Sequence, residues 1–162
     1  MSLTGSGVSY QAPVRQLLAA SNSTVTHTGD TSETALVNVR IPPLGPNDQI
    51  IISLLWSYTN SANVKTFRIR LSTTSGTGGT AMMSLVPTTT AAQRVILEIG
   101  NRNATNSQVS GMGTGGTAAS SGSFNTASVE TSAGGFLNLT ATLANSGESI
   151  NLEMYRIELV RV

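Results

Sequence analysis

Apolar side chains return at every second position along stretch after stretch of this chain, and no stretch sustains the i, i+3, i+4 spacing of an amphipathic helix. In "ALVNVRI", Ala35, Val37, Val39 and Ile41 share one face, while Leu36, Asn38 and Arg40 share the other. "KTFRIRL" sets Lys65, Phe67, Ile69 and Leu71 against Thr66, Arg68 and Arg70. "QRVILEI" sets Val95, Leu97 and Ile99 against Arg94, Ile96 and Glu98, and "FLNLTATL" aligns Leu137, Leu139, Ala141 and Leu143. A period of two belongs to strands with one buried face. "QIIISLLWSY", from Gln49, is apolar on both faces, which predicts a strand covered on both sides. In the terminal "SINLEMYRIELVRV" the apolar register runs Ile150, Leu152, Met154 and reappears at Ile157 and Leu159. A bulge near Tyr155 and Arg156, or burial on both faces, is expected there.

Breakers punctuate these runs. "PPLGPND" cannot continue a central strand, "STTSGTGGT" reads as a loop, and Pro87 closes "AMMSLV". The segment 111–123 is nearly pure Gly, Ala, Ser and Thr and reads as a mobile loop or insertion. "PVRQLLAAS", after Pro13, suits one or two helical turns or an extended arm. At 162 residues the chain has room for one domain with a real core. The expectation is an N-terminal arm over residues 1–18 and a single domain over 19–162. That domain is expected to be all-β, an antiparallel sandwich of eight or nine strands, jelly-roll-like, at the strand spacing such folds use. With no internal repeat, a propeller or solenoid is disfavoured.

Composition narrows the function classes. Only 10% of residues are charged and the net charge is +1, so no general field steers the chain onto nucleic acid or an acidic membrane. Little charge also means little repulsion between copies, which favours association. There is no Cys, which excludes disulfides and thiolate metal sites. "IIISLLW" is far too short to span a bilayer, and the N-terminus lacks the basic-then-apolar pattern of a secretory leader. The Asn-x-Ser/Thr triplets at Asn22, Asn103 and Asn138 then follow from composition alone.

Catalytic chemistry finds little support. His27, the only histidine, sits in "HTGDTSE", which reads as a polar turn with Gly29 and Asp30 reversing the chain. The carboxylates Asp30, Glu33, Asp48, Glu98, Glu130, Glu148, Glu153 and Glu158 are scattered. Glycoside hydrolysis needs two of them converging within about 5 to 10 Å, and Glu153 and Glu158 point to opposite faces unless a bulge intervenes. "GTGGT" and "GMGTGGT" have neither a following Lys nor a following helix, the two features that make an anion site. A calcium site on Asp30 or Asp48 lacks the several acidic oxygens it needs. Neither enzymatic activity, nor a cofactor, nor a metal is expected.

The costly residues gather in "LWSYTNSANVKTFRIRL", which holds the only Trp and the only Lys. Trp56 and Tyr58 fall on one side of the strand by parity, as core or interface anchors or as a sugar-stacking surface. Lys65, Arg68, Arg70, Arg94 and Arg102 either converge on an anion or acidic glycan, or pair with Glu98, Glu130 and Glu153 across strands or a subunit boundary. Asn60, Ser61 and Asn63 can satisfy turn amides locally, which explains a turn without Gly.

Through "HTGDTSET", "IPPLGPNDQIIISLLWSYTNSANVKTFRIRL" and "IGNRNATNSQV", from about His27 to Val109, the chain resembles a family of small β-rich virion proteins and terminal domains from tailed bacteriophages and prophages. The Trp-to-Arg hairpin is the specific part of that likeness. The resemblance implies a virion structural protein at a head surface or in a tail fibre, commonly a homotrimer, and implies no catalytic residue. Expected partners are further copies of the chain and the major capsid protein or another virion protein. A host surface glycan is the alternative partner, and neither nucleic acid nor membrane is expected. A brief arm without a fibrous shaft favours a capsid decoration or cement role in a virion assembled in the host cytoplasm; a receptor- or glycan-binding tail-fibre tip is the alternative. Trp56, Tyr58, Asn60, Asn63, Lys65, Arg68, Arg70 and Arg102 are the candidate interface or binding residues.

Overall fold

The computed structural model describes residues 13–112 and 124–162. Its strands are β1 (Val14–Ser21), β2 (Val25–Thr28), β3 (Thr34–Ile41), β4 (Gln49–Tyr58), β5 (Lys65–Ser72) and β6 (Thr80–Leu85). They continue with β7 (Ala92–Asn101), β8 (Gln108–Met112), β9 (Asn125–Ala127), β10 (Gly135–Leu143) and β11 (Ser149–Arg161). Two antiparallel sheets result: β1-β11-β4-β7-β8-β9, with β2 also on β11, and β3-β10-β5-β6. The pairs β2·β11, β3·β10, β4·β7 and β5·β6 are nested one inside the next. Nested pairs distributed over two sheets are the jelly-roll arrangement.

The all-β sandwich expected from periodicity is therefore present, with eleven strands among the described residues instead of eight or nine. The surplus is β1, read as part of an arm or as helical turns, and the short β2 and β8, with four and five residues. Residues 14–18, read as part of an arm, lie in β1, extended and paired to β11 from Val14↔Arg161 to Ser21↔Tyr155. The rest of that expected arm, residues 1–12, and most of the expected Gly/Ser/Thr loop, residues 113–123, lie outside the described residues.

Alternation sorts the side chains. Ile50, Ile52, Leu54, Trp56 and Tyr58 of β4 face Phe67, Ile69 and Leu71 of β5 and Leu137, Leu139 and Ala141 of β10 across the sandwich, all buried. Trp56 stacks on Phe67 with ring centroids 4.3 Å apart, and Tyr58 flanks the same ring at 6.0 Å. The double-sided burial expected for β4 is corrected: its alternate residues Ile51, Ser53, Leu55 and Ser57 are only half-buried, and no described layer covers them.

The expected bulge exists but lies earlier, at Glu153, where the β11–β4 register shifts between Leu152 and Met154. Leu152 faces inward, Met154 outward, and Ile157 and Leu159 inward again. Before the bulge β11 pairs with β2, and after it with β1, so the extra residue sits where one edge partner gives way to the next.

Gly134 holds φ +83°, and a Cβ there would lie 2.6 Å from the Ile41 carbonyl oxygen. Gly78 has open space around it. Gly134→Ala is expected to cost about 1–3 kcal/mol in urea unfolding and Gly78→Ala close to nothing, a contrast that checks the loop placement.

Candidate functional site

Lys65 starts β5 with inward parity, and its side chain is fully buried. An ammonium there must be answered by several acceptors. Its Nζ donates to Ser61 Oγ at 2.6 Å, to the Asn63 carbonyl at 2.9 Å and to the Thr88 carbonyl at 3.3 Å, and lies 3.3 Å from Glu148 Oε2. Glu148 Oε1 in turn accepts from the Ser61 hydroxyl and from Asn63 Nδ2 at 2.8 Å. Backbone bonds close the same knot: Lys65 N–H to Pro87 O, Tyr58 N–H to Ala91 O, Thr59 N–H to Ser149 O and Ala144 N–H to Val64 O. The turns β4–β5, β6–β7 and β10–β11 are thus tied together around one ion pair. Asn63 is part of that tie, whereas Asn60 at the tip of the turn is exposed.

Trp56 and Tyr58 do not reach the surface: of the alternatives read from the sequence they take the core one, which corrects their candidacy as interface anchors or a sugar-stacking surface. The indole Nε1 and the Tyr58 hydroxyl find no hydrogen-bond partner among the described residues, and burial pushes the Tyr58 hydroxyl pKa well up. His27 is likewise an inward residue, in β2 opposite Ile150, rather than a turn residue. The turn begins after it, at Gly29 with φ +90°.

Arg68 and Arg70 lie on the outer face of the four-stranded sheet, yet they are not a free anion site. Arg70 Nε and Nη2 clamp Glu33 at 2.9 and 3.0 Å, Arg68 Nη1 approaches it at 3.5 Å, and Thr140 Oγ1 donates to it at 2.6 Å. The acids expected to answer these arginines were Glu98, Glu130 and Glu153. The acid that does so is Glu33, which the loop before β3 lays over the sheet. Burial acts to raise the Glu33 pKa, but the hydrogen bonds and the charges of Arg70 and Arg68 outweigh it and hold the carboxyl below its ordinary value. Beside them the β5–β6 loop folds over β10: Asn138 Nδ2 donates to the Thr74 and Gly78 carbonyls, and Gly76 N–H to Asn38 Oδ1. Arg102 is separate and exposed, its guanidinium 5.9 Å from the centroid of the exposed Phe124 ring.

Other charges are also engaged. Asp48 accepts from Gly45 N–H and from Arg161 Nη1 at 3.0 Å, so its carboxylate ties the C-terminus to the β3–β4 loop. The bulge turns Glu153 to the outer face beside Ser57 and Thr24, while Glu158 stands outward opposite Ile51. The two carboxylates share a face after all. They are six β4 residues apart, roughly 20 Å, which is beyond the reach of paired acid–base chemistry.

Two surface features escaped the sequence reading. A shallow groove of about 320 Å³ opens at the start of β10, lined by Arg40, Glu130, Gly134 and Phe136 among others. Its residues come from three separate segments, so no local motif betrays them. The second is the outer face of the larger sheet, which no described residues cover. There Leu55, Met154 and Arg94 border a depression of about 220 Å³. Apolar outward residues of β4 were the available signal for it.

No family description matches the chain, and no curated protein does. Among solved structures it is similar to the CBM2 module of the evolved Dit of Lactobacillus casei BL23 phage J-1. That likeness has a TM-score of 0.48 and 11% identity, over 94% of this chain and 99% of that one. It is also similar to the basic winged bean lectin with Tn-antigen, with a TM-score of 0.36 and 9% identity, over 91% and 98%. At these scores neither likeness carries an argument, and the architecture rests on the strand order itself.

Lys65→Met leaves Glu148 buried without its cation and is expected to lower the thermal midpoint by roughly 6–12 °C, read by circular dichroism. Hydrogen bonds from Ser61 and Asn63 outweigh burial and, with Lys65, hold the Glu148 pKa below its ordinary 4.5. A lowered folded-state pKa gives stability that is fully present above the unfolded value and is lost as pH falls through the folded one. The midpoint is therefore expected to stay level at neutral pH and to fall below about pH 4.5. Glu148→Gln should lower the neutral plateau and blunt that acid limb.

Proposed function

We propose that the chain is a non-enzymatic structural protein of a tailed-phage virion, acting as a homo-oligomeric decoration or cement protein on the capsid. The observation that carries this reading is the contrast between its surfaces. Most clustered charges among the described residues are spent on ties within the chain, whereas the broad outer face of the seven-stranded sheet presents Ile51, Leu55, Ile96 and Met154 among a few charges and is covered by no described residues. A protein that works by fit alone needs such a face and no converging acid and base. The resemblance between His27 and Val109 to phage virion proteins supports the same setting. Further copies and the major capsid protein are the partners on this reading, with a trimer as the count the resemblance implies.

A second reading, a receptor- or glycan-binding tail-fibre tip, has one observation in its favour: the groove of Arg40, Glu130 and Phe136 offers an aromatic face beside both signs of charge. Electron microscopy of intact particles separates the two. Density on the head lattice is the expected result, and density at the tail extremity overturns it. The tail reading further requires saturable binding to host polysaccharide that Phe136→Ala removes; on the capsid reading neither protein binds.

A further inference from the structure

The outer face of the larger sheet can be laid out from its register. Across β11, β4 and β7 one row is Met154, Leu55, Arg94; the next is Arg156, Ser53, Ile96; the third is Glu158, Ile51, Glu98. Leu55, Ile51 and Ile96 are half-buried and Met154 is 43% exposed, so apolar side chains flank Ser53 at the middle of the face. Arg156 and Glu158 pair with each other at 2.8 Å. Arg94 and Glu98 are both exposed, and neither enters an ion pair among the described residues.

The order along β7 is the informative part. Arg94 and Glu98 stand two outward positions apart, with Ile96 midway between them. A two-fold axis lying in the plane of the face, perpendicular to β7 and passing over Ile96, exchanges the two ends of that strand. It lays Arg94 of one copy over Glu98 of the other, twice, with Leu55 over Ile51 and Ile96 over Ile96. Along β7 and β4 the face is complementary to itself; on β11 the same axis sets Arg156, already paired with Glu158, over its own counterpart, and Met154 over Glu158.

We infer that this face is the seat of a two-fold contact between two copies of the chain, with Arg94 of each copy paired to Glu98 of the other. The inference deepens the assembly reading above and rests on it. Five strands, β1, β11, β4, β7 and β8, make a face roughly 20 Å wide, and the ten residues of β4 make it roughly 33 Å long. That is roughly 650 Å² per copy and 1,300 Å² in total, within the range of specific interfaces and at its lower end. The pair is therefore concentration-dependent, and the isologous geometry closes at two, so a three-fold assembly uses other surfaces.

Charge reversal tests it in the whole chain. Arg94→Glu places two like-charge contacts in the pair, and Glu98→Arg does the same with the opposite sign. Each is expected to weaken self-association by roughly 100-fold or more, read as a shift from dimer to monomer in sedimentation equilibrium. The double variant restores both contacts and the dimer. So does an equimolar mixture of the two single variants, because one copy then carries two carboxylates across the seam and the other two guanidinium groups. Circular dichroism confirms that the exposed substitutions leave the fold intact. A wild-type monomer throughout the accessible concentration range overturns the inference. So does a trimer, or any oligomer, whose mass the single reversals leave unchanged, or a face covered in the particle by a different virion protein. A chain located on the head but monomeric in solution defeats the two-fold contact and leaves the virion reading standing.

Discussion

The ring pair at the centre of the sandwich sets the terms for everything around it. Trp56 lies near the end of the most apolar strand of one sheet and Phe67 near the start of the next strand, in the other, and they stack at 4.3 Å with both fully buried. With only 4% aromatic residues, the chain has little else of that size to fill a gap about 10 Å deep between sheets. Once these two rings meet, the connection between β4 and β5 must turn within six residues at the rim of the core. The buried Lys65 and its acceptors are the answer to that turn, since carbonyls forced inward there need a donor. The concentration of expensive residues in one short segment is thus architectural.

Much of this was legible from alternation. Lys65 shares parity with Phe67, Ile69 and Leu71, which already placed an ammonium on an inward face, and the broken register of the last strand announced a bulge. What alternation does not supply is partnership across distance. Glu33 answers Arg68 and Arg70, and Glu148 answers Lys65, from loops remote in the chain, and nothing in the local pattern of either acid marks it out. Apolar residues on both faces of β4 were read as cover on both sides. The same pattern equally fits one face packed within the chain and another left for something outside it, because hydrophobicity reports burial without saying by what.

The two sheets have divided their labour. The smaller one carries its polar outer face under its own loops, with Thr140 and Asn138 fully buried beneath Glu33 and the β5–β6 turn. The larger one has no described residues over its outer face. A surface locked down by internal hydrogen bonds has few donors left to offer another molecule, whereas exposed apolar side chains gain on being covered and exposed charges such as Arg94 and Glu98 need partners when that happens.

The extra residue at Glu153 has a consequence for how this sequence can vary. Because it resets which way every later side chain of the final strand points, removing it would turn Ile157 and Leu159 out toward water and drive Arg156 and Glu158 into the hydrophobic interior. Replacement at that position is cheap by comparison. Over generations the strand can drift freely in side-chain chemistry there while its length is held to the residue.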